Sequence, residues 1–269
     1  MNILDKIIDH KRKEVAERKS LYPAKLLEQS IYFESRGVSM CHYLRRPDLN
    51  GIIAEIKRQS PSEGMIHEYV DIEAISIGYM QAGASALSVL TDTTFFGGKN
   101  QDLTTARKYN FCPILRKDFT IDEYQIIEAK SIGADVILLI ASCLSPEEVS
   151  TLARFARSLQ LEVLLEVHNL AELQAMPLDE VDIVGVNNRN LDDFSVDITT
   201  SLQLAEHIPV EKVKISESGL HSALEVAQLK DAGYDGFLIG SHFMRHPHPE
   251  KACADFINAL QSQKQTKTA

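Results

Sequence analysis

The sequence predicts an α/β protein with the fold of a closed (β/α)8 TIM barrel and an N-terminal helical extension. Eight short runs rich in Ile, Val and Leu recur along the 269 residues, and segments with helical spacing separate them. Repeated alternation of strand and helix indicates a parallel sheet with helical crossovers. Eight such units in about 220 residues fit a closed barrel, and a doubly wound sheet of as many strands is the alternative.

The first fifty residues precede the first predicted strand. Within MNILDKIIDHKRKEVAERK, five apolar residues fall on one helical stripe, which predicts a helix that packs on the barrel. These residues are Ile3, Leu4, Ile7, Ile8 and Val15. Length alone permits one long domain or two short ones. We interpret residues 1–269 as a single barrel domain and residues 1–50 as its N-terminal helical extension.

The predicted strands follow one another from residue 51 to residue 241. In chain order they are GIIAEIK, ASALSVLT, CPILRK, ADVILLIA, LEVLLEV, DIVGVNN, VKISES and DGFLIGS. The intervening helices have start and stop signals. Ser145 is a predicted N-cap, with Pro146 at the first helical position and Glu148 three residues after the cap. Three glycines each end a helical pattern and precede a strand, namely Gly83, Gly133 and Gly233.

The net charge of -10 and the pI near 5.4 argue against a nucleic-acid partner or an anionic membrane surface, since both require a basic patch. The N-terminal segment is charged from residue 5 onward and has no continuous apolar stretch. It therefore predicts neither a signal peptide nor a membrane span. The four cysteines show no C-x-x-C spacing, which indicates a reduced, cytoplasmic setting. We expect a monomer or a weak homodimer.

Polar residues stand at the carboxyl-terminal ends of predicted strands, although strands covered on both faces should be apolar. They are Glu55, Lys57, Lys117, Glu166, Asn187, Arg189 and Glu217. Barrel enzymes build their active sites at this end. The three acidic side chains offset the three basic ones, and a buried unpaired charge is costly. This balance favours a charged ring facing a cleft; the alternative for each residue is an ordinary ion pair that closes the barrel.

Two turns predict a site for a phosphorylated small molecule. ISESGLHS follows strand 7 and LIGSHF follows strand 8, and each places a glycine-containing turn just before helical residues. Free backbone N–H groups in such turns can point at an anion. Barrel enzymes often hold phosphate with the loops after strands 7 and 8, so the two turns together favour a phosphorylated substrate.

Eight segments carry a resemblance to one enzyme family. They are IIAEIKRQSPSEG, LTDTTFFGG, ILRKDF, IGADVILLIA, LLEVHN, GVNNRNL, SESGL and GFLIGSHFM. In this order they resemble the indole-3-glycerol phosphate synthases of tryptophan biosynthesis, and ILDKIIDHKRKEV resembles that family's N-terminal helix. The resemblance covers most of residues 52–244. It implies a barrel enzyme that needs no metal or organic cofactor and acts on 1-(2-carboxyphenylamino)-1-deoxyribulose 5-phosphate, giving indole-3-glycerol phosphate, CO2 and water.

The resemblance also implies roles for individual residues. Lys117 in RKDF would be the general acid and Glu166 in LLEVHN the general base. Lys57 in EIKR would contact the carboxylate and phosphate regions of the substrate, and the division of acid duty between Lys57 and Lys117 stays open. Glu55 and Asn187 would orient Lys57 and the reacting hydroxyls. The implied substrate-binding residues are Ser60, Arg189 and Glu217 at polar positions, Ser218, Gly219, Gly240 and Ser241 in the phosphate loops, and Phe96, Phe119 and Leu191 around the anthranilate ring.

One loop position departs from the family, which often has lysine where this chain has Glu63. A carboxylate there could weaken the attraction for an anionic substrate. The histidines His168 and His221 and those of HFMRHPHP lack suitably spaced carboxylate ligands, so no metal is predicted. Two alternatives remain: another phosphosugar barrel enzyme, such as a phosphoribosylanthranilate isomerase or a Schiff-base aldolase, or a catalytically silent phosphometabolite-binding protein.

Overall fold

Eight parallel strands close into a barrel in the computed structural model, which describes residues 3–191 and 193–268. The strands are β1 (Ile52–Ile56), β2 (Ala86–Leu90), β3 (Ile114–Lys117), β4 (Val136–Ile140), β5 (Glu162–Val167), β6 (Ile183–Asn187), β7 (Val213–Glu217) and β8 (Gly236–Ile239). Each predicted run contains one of them. Because β1 pairs with both β2 and β8, the sheet has no edge, and the (β/α)8 barrel is confirmed over the doubly wound alternative.

Twelve α-helices are present in the described ranges. They are α1 (Ile3–Leu21), α2 (Ala24–Leu27), α3 (Met40–Arg45), α4 (Ile72–Gln81), α5 (Asn100–Tyr109), α6 (Glu123–Ile132), α7 (Pro146–Ser158), α8 (Leu170–Ala175), α9 (Thr199–Leu204), α10 (Ala223–Asp231), α11 (Ser241–Met244) and α12 (Pro249–Thr268). Short 3-10 helices span Ala141–Cys143, Leu178–Glu180 and Ala205–His207. A small antiparallel hairpin, Gln59–Ser60 with Gly64–Met65, follows β1.

The predicted helix signals are confirmed. Ser145 accepts a hydrogen bond from the backbone N–H of Glu148, whose side chain accepts one from the backbone N–H of Ser145, so α7 begins with a capping box. The three predicted stop glycines adopt positive φ angles of 96°, 93° and 92°, which other residues adopt only with strain. They are Gly83, Gly133 and Gly233.

The core has two layers because alternate residues of each strand face opposite sides of the sheet. Ile53, Leu164 and Ile215 belong to the cluster inside the barrel, whereas Ala54 and Ile56 pack in the outer cluster between the strands and the helices. Since Glu55 has the same parity as Ile53, it points into the barrel. The strand parity thus places the charged residues of β1 at the inner, upper face.

The two ends of the barrel are covered differently. Met40 and Leu44 of α3 join the inner cluster, and the Met40 backbone N–H bonds to Glu162 at the start of β5, so α3 closes the amino-terminal end. Four residues of the predicted apolar stripe of α1 are buried, Ile3 is half-buried, and Lys11 is buried with the stripe. No helix in the described ranges is long and apolar enough to cross a membrane.

Candidate active site

A cavity of about 320 Å³ opens at the carboxyl-terminal ends of the strands. Every barrel strand contributes at least one residue to its wall, and every site residue predicted from the sequence lines it. The helix α1 adds an apolar edge that the sequence did not predict as part of the site, made of Ile3, Leu4 and Ile7. The barrel therefore brings residues far apart in the chain to one enclosed mouth.

Lys117 holds two carboxylates at the end of β3. Its Nζ lies 2.5 Å from Oε2 of Glu166 and 2.8 Å from Oε2 of Glu217. Burial opposes the charge on this lysine, but the two carboxylates outweigh burial and raise the pKa of the ammonium above its ordinary value. Lys117 is therefore a protonated donor that faces the cavity.

Glu166 is held on its other oxygen by two further groups. The Asn187 side-chain amide donates to Oε1 over 3.0 Å, and Nε2 of His168 lies 3.3 Å from the same oxygen. Burial would raise the pKa of Glu166, but Lys117 and His168 together lower it well below the ordinary range. The group predicted to be a base is thus an ionised carboxylate with fixed orientation.

His168 was not among the predicted site residues, although it shares strand parity with Glu166. Its Nδ1 lies 3.1 Å from Oε2 of Glu172 at the start of α8, and its backbone N–H donates to the same oxygen. Burial disfavours the charged ring, but the two glutamates raise the pKa of His168 to about 9. An imidazolium therefore links Glu172 to Glu166 at neutral pH.

Glu217 gains a proton more easily than an ordinary glutamate. Burial and the nearby Glu166 carboxylate raise the pKa of Glu217 to about 7, although Lys117 opposes the shift. Its Oε1 is buried and has no hydrogen-bond partner among the described residues. That oxygen fits because residue 185 is a glycine: a Cβ on Gly185 would lie 2.5 Å from it.

Glu55 and Lys57 form a second pair on β1 and at its end. Nζ of Lys57 lies 3.1 Å from Oε1 of Glu55, whose Oε2 accepts from the Ser88 hydroxyl over 3.3 Å. A Cβ on Gly240 would overlap the Glu55 carboxylate, so the glycine of the turn after β8 lets that turn approach β1. The two opposite charges that the sequence places on one face of β1 lie in contact as an ion pair.

The predicted phosphate loops meet at one end of the cavity. Ser218 and Gly219 both have left-handed φ angles, 68° and 73°, so the turn after β7 is sharp. Ser241 begins α11 directly after the Gly240 turn that follows β8, and it lines the same cavity. The Glu63 carboxylate projects into this end and accepts a hydrogen bond from the Ser241 hydroxyl over 2.8 Å.

Arg189 is placed differently from the rest of the predicted charge ring. Its Nη2 lies 3.3 Å from Oε1 of Glu63, a partner outside the six charges of the ring. The six predicted charges therefore do not form one continuous ring but divide into three local groups. Glu55 pairs with Lys57, Lys117 pairs with Glu166 and Glu217, and Arg189 pairs with Glu63, which is not one of the six. Arg245, which sequence analysis also missed, binds the other oxygen of Glu63 over 2.7 Å.

One part of the cavity wall is apolar. Phe96 and Phe119 lie with ring centroids 6.0 Å apart, and Leu191 lines the same space. The Phe96 backbone N–H donates to Asp92 over 3.2 Å, which fixes the loop after β2. Two aromatic rings and an aliphatic side chain suit a flat, apolar part of a ligand.

Beside this apolar wall, α1 is anchored by a buried ion cluster. Nζ of Lys11 lies 2.9 Å from Asp92, 2.9 Å from Asp118 and 3.0 Å from Glu14. The Lys11 side chain is 1% exposed, and its carboxylate partners raise the pKa of the ammonium against the effect of burial. The N-terminal extension is therefore tied to the loops after β2 and β3, next to Lys117.

Comparison with known proteins identifies relatives over nearly the whole chain. The family model described as indole-3-glycerol phosphate synthase matches residues 4–256. A protein of that name from Bacteroides thetaiotaomicron is 45% identical over 260 residues, covering 97% of this chain and 99% of its own length. Another from Campylobacter curvus is 42% identical over 246 residues, covering 90% and 94%.

A solved structure of lower identity has the same barrel. The thiamine phosphate pyrophosphorylase from Pyrococcus furiosus is 14% identical and superposes with a TM-score of 0.56, covering 78% of this chain and 95% of its own. At that identity the likeness shows the shared barrel fold and nothing about the reaction.

Proposed function

The chain belongs to the indole-3-glycerol phosphate synthase family, and we propose that its cavity carries out the ring closure that forms indole-3-glycerol phosphate. The substrate is 1-(2-carboxyphenylamino)-1-deoxyribulose 5-phosphate. A ring carbon attacks the ribulose carbonyl, the carboxylate on that carbon leaves as CO2, and the new hydroxyl leaves as water. The chain is thus a decarboxylating lyase of tryptophan biosynthesis.

We propose that Lys117 protonates the carbonyl oxygen as the ring carbon attacks. The observation that carries this proposal is the placement of the Lys117 ammonium between Glu166 and Glu217 at the cavity wall. A charged donor there offsets the negative charge that develops on the oxygen and can pass it a proton. A second proton donor serves the loss of water, and Lys57 stands within the same cavity to share that duty.

Glu166 is the proposed base. Loss of water from the closed ring requires that a proton be taken from the ring while the hydroxyl departs with another. An ionised carboxylate can accept it, and Asn187 and His168 keep that carboxylate oriented. Glu55 positions Lys57, and the two phenyl rings with Leu191 receive the anthranilate part of the substrate.

The electrostatics of Lys117 argue against the Schiff-base aldolase alternative. An aldolase lysine attacks a carbonyl as the neutral amine, which requires a depressed pKa. The carboxylates around Lys117 act in the opposite direction and raise its pKa. We therefore expect no covalent adduct when the protein is treated with borohydride in the presence of a ketose phosphate.

The test is turnover of the carboxyphenylamino substrate by the purified chain, followed by the fluorescence of the indole product. Formation of indole-3-glycerol phosphate that depends on Lys117 supports the proposal. Absence of that product with a folded protein, or a borohydride-trapped lysine, would contradict it. A silent binding protein would bind the substrate and leave it unchanged, which the same assay detects.

We further propose that the enzyme works in the cytoplasm as a monomer or weak homodimer. The four cysteines are free thiols, and Cys112 and Cys253 are buried, which suits a reducing compartment. Sedimentation across a range of protein concentrations tests the oligomeric state, and a tight dimer at nanomolar concentration would contradict the proposal.

A further inference from the structure

The Glu63 carboxylate is bound at the phosphate end of the cavity by three groups from distant parts of the chain. Its Oε1 accepts from the Ser241 hydroxyl over 2.8 Å and lies 3.3 Å from Nη2 of Arg189. Its Oε2 lies 2.7 Å from Nη2 of Arg245. Although it belongs to the tip of a surface hairpin, the Glu63 side chain is only 12% exposed.

These groups form a donor set that suits phosphate. Guanidinium groups match the oxygens of phosphate and carboxylate alike, and a hydroxyl adds a further hydrogen bond. Burial would raise the pKa of Glu63, but the Ser241 hydrogen bond and the nearby Lys57, Arg245 and Arg189 lower it. The Glu63 carboxylate is therefore ionised, and it binds the donors of Ser241, Arg189 and Arg245 as a phosphate anion would.

The phosphate of the substrate and Glu63 cannot use these donors together. Both are anions, and at hydrogen-bond distance from the same cations they repel each other strongly in a partly buried site. The hairpin tip is open to solvent, because Gly64 and Met65 are exposed and a Cβ on Gly64 would meet nothing within 4 Å. Glu63 joins this tip to Ser241 and Arg245 after β8, and Nδ1 of His67, farther along the same loop, lies 2.9 Å from the Met244 carbonyl oxygen.

We propose that Arg245 is a phosphate-binding residue of this enzyme and that Glu63 is the internal anion that the substrate phosphate displaces from Arg245 and Ser241. The proposal rests on the proposed function, which places the phosphate at the turns after β7 and β8. Arg245 is 58% exposed and long, so it can follow the incoming dianion once Glu63 leaves. Glu63 thereby sets the affinity for the phosphorylated end of the substrate.

Two single variants separate this exchange from a purely structural ion pair. Glu63→Gln removes the competing charge, and we expect the KM for the substrate and the dissociation constant for inorganic phosphate to fall about tenfold. Arg245→Met removes a phosphate donor, and we expect both constants to rise about tenfold. The variants therefore change affinity in opposite directions.

A structural pair predicts a different result. If Arg245 only fixed Glu63, Arg245→Met would release the carboxylate and leave KM unchanged or lower, and that outcome would overturn the proposal. An unchanged phosphate affinity in Glu63→Gln would also overturn it. Arg245→Lys keeps the charge and should recover most of the affinity lost in Arg245→Met, which excludes a folding defect as the cause.

The matched control is Glu68→Gln, which makes the same charge change at an exposed position of the same loop. Its KM and phosphate affinity should equal those of the parent enzyme at fixed ionic strength. Phosphate binding is measured by titration calorimetry on each full-length chain. If the parent does not form indole-3-glycerol phosphate, the proposed function fails, whereas the calorimetric titrations still decide whether Glu63 and an external phosphate compete.

Discussion

Lys11 and Lys117 are both buried lysines held by carboxylates, and one of the carboxylates that Lys11 contacts, Asp118, directly follows Lys117. Lys11 contacts three carboxylates at 2.9 to 3.0 Å and has 1% of its side chain exposed. Lys117 contacts two, at 2.5 and 2.8 Å, with 15% exposed to the cavity. In both cases neighbouring carboxylates outweigh burial and raise the pKa of the ammonium.

The difference lies in what else the carboxylates bind. Asp118, beside Lys11, also accepts from Thr91 and Arg116, and its pKa is lowered. Glu217, beside Lys117, has a buried oxygen without a hydrogen-bond partner among the described residues and a pKa raised to about 7. Asp92 Oδ2, beside Lys11, also has no hydrogen-bond partner among the described residues, but it lies 2.9 Å from the Lys11 ammonium. An ion cluster in which each carboxylate is held by a cation fixes a helix, whereas one that includes a carboxyl group with a raised pKa at a cavity can exchange protons with a ligand.

The largest expected effect is on stability, from Lys11→Met. The substitution leaves Asp92 and Asp118 buried without their cation, so the free energy of unfolding should fall by about 3–5 kcal/mol. Urea denaturation measures it. The control is Lys19→Met on the same helix: its half-exposed ion pair with Asp122 should contribute at most about 1 kcal/mol. Equal losses in the two variants would contradict the assignment of Lys11 as the anchor of α1.

Lys117→Met should act on turnover instead. We expect kcat to fall about a hundredfold or more, the scale of general acid catalysis, as measured by indole fluorescence. Its loss of stability should be smaller than that of Lys11→Met, because Glu217 can take up a proton when the ammonium is gone. Near-normal turnover would refute the role of Lys117, and equal destabilisation would remove the distinction between the two clusters.

Glu166→Gln should also reduce kcat about a hundredfold or more, because an amide cannot accept the proton. The fold should persist, since the amide oxygen can still accept from Asn187. The control is Glu147→Gln, an exposed position on α7, for which turnover should not change. Full activity in Glu166→Gln would show that another group is the base.

His168→Gln should have a smaller effect, about a tenfold loss of kcat, because the residue positions Glu166 without being proposed to contact the substrate.

The pKa of His168 is raised from 6.5 to about 9. Its stabilising charge is therefore fully present below about pH 6.5 and is lost as the pH rises through 9. The variant should lack that decline in unfolding free energy between pH 6.5 and 9; an unchanged profile would contradict the assignment.

The smallest expected effect concerns Glu217. Its pKa of about 7 lies above the ordinary 4.5, so it is protonated below pH 7 and adds a negative charge to the cavity above it. That charge repels an anionic substrate, and KM should rise about threefold between pH 6 and 8. Glu217→Gln should remove this dependence. A pH profile that persists in the variant would assign the ionisation to another group.

Patterns local in the chain predicted much of this molecule. The eight strands were identified because buried parallel strands form continuous apolar runs, and Ser145 was identified because capping uses four adjacent residues. The site residues at strand ends follow from topology, which brings all carboxyl-terminal ends to one mouth. Their roles, and the interpretation of residues 1–269 as one domain, stay predictions.

The contacts that sequence analysis missed join residues with no local relation. Lys11 lies on the apolar stripe of α1, which was a signal, but its partners Asp92 and Asp118 are known only once the barrel closes. Glu63 was recognised as unusual, whereas its burial against Arg189 and Arg245 depends on how a surface hairpin folds back. Ion pairs of this kind depend on tertiary packing, which the periodicity of the sequence does not reveal.

The anchoring of α1 by distant residues determines when this helix can dock during synthesis of the chain. Lys11 leaves the ribosome first, and its partners Asp92 and Asp118 follow about eighty to over one hundred residues later, which is several seconds at ordinary rates of synthesis. Until then the lysine of the nascent chain stays hydrated and the apolar stripe of α1 has no surface on which to dock. Helix α1 is thus synthesised well before the two loops that secure it beside the catalytic cavity.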